Sequence, residues 1–266
     1  MKEKILIVNG CSMTYGLELV DDKNATEQDH IYRQKTAWPG QLKDLFGFTS
    51  VLNFAVNSGS NDRILRTTIY EVSRLCANSD YDIFVIIGWS GPARREFYID
   101  GEWMQVVPYH DHQNTKLNQL NRVYREVAWN DKECAIRFLT EVVALQSFLE
   151  VNKVPYLFFD AISPAKEQIV HSGNMGAPYI AQINAVRYMN LDDINGCMAD
   201  ILRKEVPVWN GRHPSPEGHK YWASVLFKYI EKHQLIQADF TRKSIIEMAS
   251  INQEQRSQKE INFIYT

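Results

Sequence analysis

Two residues far apart in the chain could together carry nucleophilic chemistry. Ser12 lies in "GCSMTYG" (10–16) and His213 in "WNGRHPSPEGH" (209–219). A serine hydroxyl is a weak nucleophile until a base within hydrogen-bond reach takes its proton, and histidine is the usual base. Ser12 directly follows the apolar run "ILIVN" (5–9) and is flanked by small residues. The same serine would also cap an ordinary helix well, and His213 alone would pass for a loop histidine. Chemistry is favoured by the pair, because each residue falls at the end of a predicted strand. The stretch around Ser12 is neither the GxSxG elbow of α/β-hydrolases nor a GxxxxGK[ST] phosphate loop. Cys11 is also nucleophilic by type, but the residue beside Ser12 should point away from the rim.

Other segments offer supporting groups. In "NSGSND" (57–62), Gly59 can let a backbone N–H face a ligand, as an oxyanion hole requires; it could equally be a loop glycine before a helix. The segment "GWSGPARRE" (88–96) places Trp89, Ser90, Arg94 and Arg95 at a strand end. Trp89 and Arg94 are the candidate substrate contacts there, with Arg94 or Arg95 suited to an anionic group. "YHDHQN" (109–114) alternates His110 and His112 about an aspartate, but no third ligand cluster lies near, so no metal site is expected.

The elements that must position these residues follow from hydrophobic patterning. Continuous apolar runs predict strands at 4–10, 51–56, 81–89, 154–160 and 206–210. Helical spacing is read over 37–47, 61–78, 132–152, 191–205 and 215–233. Such alternation implies a parallel sheet with helices on both faces. Ligands bind at the carboxyl ends of the strands in such sheets, so loops 9–16, 57–62, 88–95, 160–180 and 209–214 are the ones to inspect. Residues 161–185 read as irregular. Residues 90–131 are weakly periodic and predict a cap over the pocket. Trp103, Tyr109 and Trp129 there would stack on a sugar or base, or pack a core. Residues 1–236 form the main domain in this reading. Residues 237–266 form an appendage through which two copies could associate.

The totals narrow the function. With 266 residues, 45% hydrophobic and 23% charged, the chain has the composition of a soluble globular domain. A net charge of −3 gives no general attraction to nucleic acid or to an anionic membrane. Four separated cysteines with no CxxC pair fit a reducing, cytoplasmic setting. The start "MKEKILIVNG" reads as a first strand, too short in apolar residues for a signal peptide.

Taken in order, "GCSMTYG", Gly59 in "NFAVNSGSND", "VIIGWS" and "HPSPEGHKYWA" resemble the ordered blocks of the SGNH, or GDSL-type, hydrolases over residues 4–232. The resemblance implies a flavodoxin-like three-layer α/β/α fold. It also implies hydrolysis of small-molecule or carbohydrate esters, including acetyl esters, with no metal or organic cofactor. By resemblance Ser12 is the nucleophile, Gly59 and Ser12 supply oxyanion N–H groups, and His213 is the base.

Two positions depart from that family. Its GxND block ends in an oxyanion-donating asparagine, where this chain has "GWSG", so Ser90 or a nearby N–H must substitute. Losing one such donor costs about 2.7–4 kcal/mol. Three residues before the histidine the family has aspartate, and this chain has Asn210. In the serine-protease template that change costs about 10⁴ in kcat. Asn210 at most orients the ring. An engineered inactive variant, a dyad oriented by Asn210 or a backbone carbonyl, and a domain that has lost catalysis all remain open. The rival to an esterase is therefore an SGNH-fold binding or scaffold domain.

Overall fold

The structure is a computed structural model that describes residues 2–77, 80–108, 110–112, 114–206 and 209–236. Tyr109 and the appendage at 237–266 lie outside the described residues.

The chain opens with β1 (Glu3–Gly10), the single turn α1 (Ser12–Tyr15), α2 (Glu27–Thr36), α3 (Trp38–Phe46), β2 (Ser50–Asn53) and α4 (Asn61–Cys76). It continues through β3 (Tyr81–Trp89), β4 (Arg95–Ile99), β5 (Glu102–Val106), α5 (Thr115–Val123), α6 (Asp131–Val151) and β6 (Tyr156–Asp160). Then come α7 (Ala165–Ser172), α8 (Ala177–Ile180), α9 (Met198–Glu205), β7 (Trp209–Asn210), β8 (His213–Pro214) and α10 (Pro216–His233).

Four strands form a parallel sheet in the order β2-β1-β3-β6. This is the start of the flavodoxin-like strand order. Successive side chains on a strand point to opposite faces, and here both faces are apolar. Leu6, Val8, Phe84, Ile86, Leu157 and Phe159 pack against Trp38 and Leu42 of α3, Leu202 of α9 and Trp222 and Leu226 of α10. Ile5, Ile7, Val85, Ile87 and Phe158 pack against Ile64 and Val72 of α4 and Phe138, Val142 and Leu145 of α6. The result is the expected three-layer α/β/α sandwich.

Several local expectations are corrected. Among the described residues of "VPVWN", none joins the parallel sheet. Its last two residues, β7, instead pair antiparallel with β8. The position beyond β6 is taken by one parallel bridge, Phe158 to Tyr188. There the Phe158 N–H donates to Arg187 O, and the Met189 N–H donates to Phe158 O, each at 2.8 Å. The Arg187 guanidinium covers Tyr156 O at 3.0 Å. Tyr188 is held there by a 2.6 Å hydrogen bond to the Asp160 carboxylate, so the edge is already occupied. Helix α2 was not anticipated; the Thr26 N–H donates to the Asp29 carboxylate and the Asp29 N–H to Thr26 Oγ1, a capping box. The helix read over 191–205 begins only at Met198, because Asn190 turns at φ 60° and its amide bonds Gly196 O. Residues 161–185, read as irregular, contain α7 and α8.

Residues 90–131 hold the β4–β5 hairpin, α5 and a small core of Val106, Leu117 and Tyr124, against which Trp129 packs. The hairpin is tied to α4 by Arg66, which grips the buried Glu96 carboxylate with two bonds of 2.8 and 2.9 Å. Trp103 is exposed and lies under the Arg66 guanidinium.

Candidate active site

The rim at the carboxyl ends of β1, β2 and β3 gathers most of the predicted residues. Ser12 begins α1 immediately beyond β1, because Cys11 is extended (φ −103°, ψ −160°) and turns the chain out of the sheet. The Ser12 residue is 4% exposed, yet its hydroxyl makes no hydrogen bond to a described residue. The N–H groups of Ser12 and Met13 open the helix and have no intrahelical acceptor. Cys11 is fully buried among apolar side chains, so it points into the core as expected.

Gly59 approaches the end of β1 so closely that a Cβ there would lie 2.8 Å from Gly10 O. Only glycine fits without moving backbone. The preceding Ser58 adopts φ 60°, and the Gly59 N–H donates to Val56 O at 3.2 Å. This N–H is therefore committed to the turn in this structure. Asn61 clamps the next loop: its amide donates to Ser90 O (3.1 Å) and its carbonyl accepts from the Ser90 N–H (2.8 Å).

Ser90 is buried, and its hydroxyl accepts from Arg94 at 3.0 Å. Arg94 has no carboxylate partner among the described residues, so its charge is available. Arg95 differs: it meets Glu133 at 3.3 Å and Asp62 at 3.9 Å. Trp89 departs from expectation. It is fully buried, edge-on to Phe138 and Phe158, because it faces the α6 side of the sheet rather than the rim. It packs core and does not line the site.

His213 reaches the rim on the β7–β8 hairpin, which contacts α1. This contact sets the strand that carries His213 against the helix that Ser12 begins. No hydrogen bond joins the Ser12 hydroxyl to the imidazole in this structure. The ring's surroundings are set by Glu18, which no motif in the sequence marks. Glu18 Oε2 accepts from the Arg212 N–H at 2.8 Å and the His213 N–H at 3.2 Å. The same oxygen lies 3.2 Å from His213 Nδ1, an ion-pair distance, although the angle falls short of a hydrogen bond. Partial burial works to raise the Glu18 carboxyl, but the hydrogen bonds from Arg212 and His213 and the nearby ring outweigh it, and the net pKa is lowered. Asn210 does not reach the ring: its amide donates to Glu18 O at 3.3 Å. The signal for Glu18 in the sequence was faint, three acidic residues within positions 18–22 just after the serine's helix.

The second histidine of "HPSPEGH" has a different role. His219 is fully buried, and its Nδ1 accepts from the Trp38 N–H at 3.2 Å. Burial, with His213 nearby, pushes its pKa down to about 3, so it stays neutral. Among the described residues no group of three or more His, Cys, Asp or Glu is placed to hold a metal ion. Nor is any described helix long and apolar enough to cross a membrane.

Fold and rim define an α/β/α sandwich with flavodoxin-like strand order and a serine and a histidine at its carboxyl edge. Residues 17–243 match the profile of DUF6071, a family of unknown function, and the chain belongs to that family. No curated protein matches it. Among solved structures it is similar to the acetyl xylan esterase AlAXEase (10% identity, 85% of this chain and 99% of that one, TM-score 0.47). It is also similar to the psychrotrophic esterase EstA from Pseudoalteromonas sp. (12% identity, 86% and 97% covered, TM-score 0.45). A GDSL-like lipase from Bacteroides thetaiotaomicron VPI-5482 is matched at 11% identity (86% and 88% covered, TM-score 0.44). With TM-scores below 0.5, what those proteins act on stays a property of theirs.

Proposed function

We propose that the protein is a serine ester hydrolase of the SGNH type, acting on a small-molecule or carbohydrate ester. The observation that carries this reading is the placement of Ser12. It heads a helix at the end of the central strand with its hydroxyl unbonded, and that helix contacts the hairpin bearing His213. Ser12 Oγ attacks the acyl carbon while His213 Nε2 takes its proton. The oxyanion of the tetrahedral intermediate forms against the free N–H groups at the start of α1. His213 then returns the proton to the leaving alkoxide, and water repeats the sequence to free the acid. Arg94, which has no carboxylate partner among the described residues, suits a polar or anionic part of the substrate.

The test is hydrolysis of p-nitrophenyl acetate and butyrate by the full chain beside Ser12→Ala. Activity that disappears in the variant supports the reading, and activity that survives it overturns the assignment. One observation favours the rival binding domain: the Gly59 N–H is spent on Val56 O. A wild-type chain without turnover on any ester of a broad panel would favour that rival.

A further inference from the structure

The family pattern that the sequence resembles would have the histidine's carboxylate three residues before it, and this chain has Asn210 there. The hairpin geometry shows where a carboxylate comes from instead. We propose that Glu18 is the positioning residue for His213: its carboxylate faces Nδ1 at 3.2 Å and favours the tautomer that leaves Nε2 free to act as the base. This rests on the hydrolase reading above and adds the residue that completes it.

Four independent features converge on Glu18. Its Oε2 lies 3.2 Å from His213 Nδ1, and that nitrogen is sealed from solvent with no other partner. The same oxygen accepts from the backbone N–H groups of Arg212 and His213, so the carboxylate is anchored to the hairpin that carries the ring. The backbone of Glu18 stands at φ 66°, a left-handed conformation that a side-chain-bearing residue adopts at a cost of roughly 1–3 kcal/mol. Strain of that kind persists where the surrounding structure imposes it, and it collects at functional sites. Finally, the hairpin turn is built around the carboxylate. Gly211 sits at φ 57°, and a Cβ on it would come within 2.7 Å of Glu18 Oε2.

Asn210 makes no hydrogen bond to the ring: its Nδ2 donates to the Glu18 carbonyl, and His213 Nδ1 has no hydrogen-bond partner among the described residues. His219, which lies near the ring, is buried and uncharged, and the Arg212 backbone N–H binds the Glu18 carboxylate rather than the ring. The carboxylate thus approaches the ring from 195 residues upstream instead of three.

The decisive variant is Glu18→Gln in the full chain. It keeps the shape and an acceptor for the two N–H groups but removes the charge. Its kcat on p-nitrophenyl acetate is expected to fall about 10- to 100-fold, with KM changed less than about twofold. The loss is smaller than the roughly 10⁴ of a buried triad carboxylate because Glu18 is partly solvent-exposed. Asp21→Asn, which removes an equal charge three residues along without touching the ring, keeps both parameters. Proton NMR of the chain with 15N-labelled histidine supplies a readout that needs no turnover. The downfield Nδ1–H signal assigned to His213 moves upfield or is lost to exchange in Glu18→Gln and stays in Asp21→Asn. If Glu18→Gln fails to fold, Glu18→Asp carries the same test, with an intermediate kcat and a retained signal. An unchanged signal and unchanged kcat in folded Glu18→Gln overturn the proposal. A wild-type chain that hydrolyses no ester overturns the hydrolase reading alone, because the NMR comparison still decides which residue holds the ring.

Discussion

The two halves of the rim are built by different means. Ser12 is positioned by the sheet: β1 is paired on both sides, buried on both faces, and ends one residue before α1 begins. His213 is positioned by a two-residue hairpin outside the sheet, held by a carboxylate from the segment that follows the serine's helix. The serine half inherits its rigidity from the core. The histidine half depends on a few polar contacts, and Glu18, through which they run, is more than a third exposed. Such a half should be the easier to loosen, and it should loosen under different conditions.

The largest expected effect tests whether the halves act as one unit. His213→Ala should match Ser12→Ala in abolishing ester turnover, each losing roughly 10³-fold or more, and the double variant should lose no more than either single one. Additive losses would separate the halves. Next in size is a pair of glycine substitutions. Gly59→Val places a side chain against Gly10 O on the serine half and should destabilise the whole domain, read as a drop in Tm. Gly211→Val strains a positive-φ turn and crowds Glu18. It should cut kcat about tenfold while lowering Tm by only a few degrees, because local strain of about 1–3 kcal/mol falls on a hairpin outside the core.

The third contrast is in pH. The lowered Glu18 carboxyl stabilises the hairpin above the ordinary glutamate range, and that contribution is lost as pH falls through the lowered value. The protection of the Arg212 and His213 amides, taken relative to their intrinsic exchange rates, should fall in acid. The core side behaves oppositely. Burial raises Asp160, at the end of β6, to about 7 and Glu141 on α6 to about 7. Their stabilising contribution is full below the ordinary carboxylate range and is lost as pH rises through about 7. Tm should fall by about 4 °C or more between pH 5 and 8, and Glu141→Gln should flatten part of that slope. The smallest effect concerns Arg94. Arg94→Ala should raise KM about three- to tenfold for an anionic ester and leave a neutral one unchanged, the scale of the net contribution of one ordinary, partly solvated hydrogen bond.

The same contrast explains what could be read in advance. β3 was legible to the residue, and β1, α4, α6 and α10 to within one or two, because a continuous apolar run or a 3.6-residue stripe is written locally. Ser12 and Gly59 were legible as strand-end residues for that reason. His213 was found by its place before a helix, but among the described residues no fifth parallel strand carries it, and Tyr188 and Arg187 occupy the edge of β6. Glu18 could not be found by spacing, because its relation to His213 exists only after the chain has closed on itself. Trp89 was misplaced by one step of strand alternation, which turns a rim residue into a core residue.

The covered edge of β6 has a further consequence for how copies of this chain can meet. A sheet that ends in an open strand invites a second chain to add its own strand. Here Tyr156 O is capped by a guanidinium, and both backbone groups of Phe158 are taken by residues 187 and 189. Strand addition finds no free groups at those positions. A second chain pairing there would first have to displace Arg187 and the 187–189 segment, breaking the three hydrogen bonds they make to Tyr156 and Phe158.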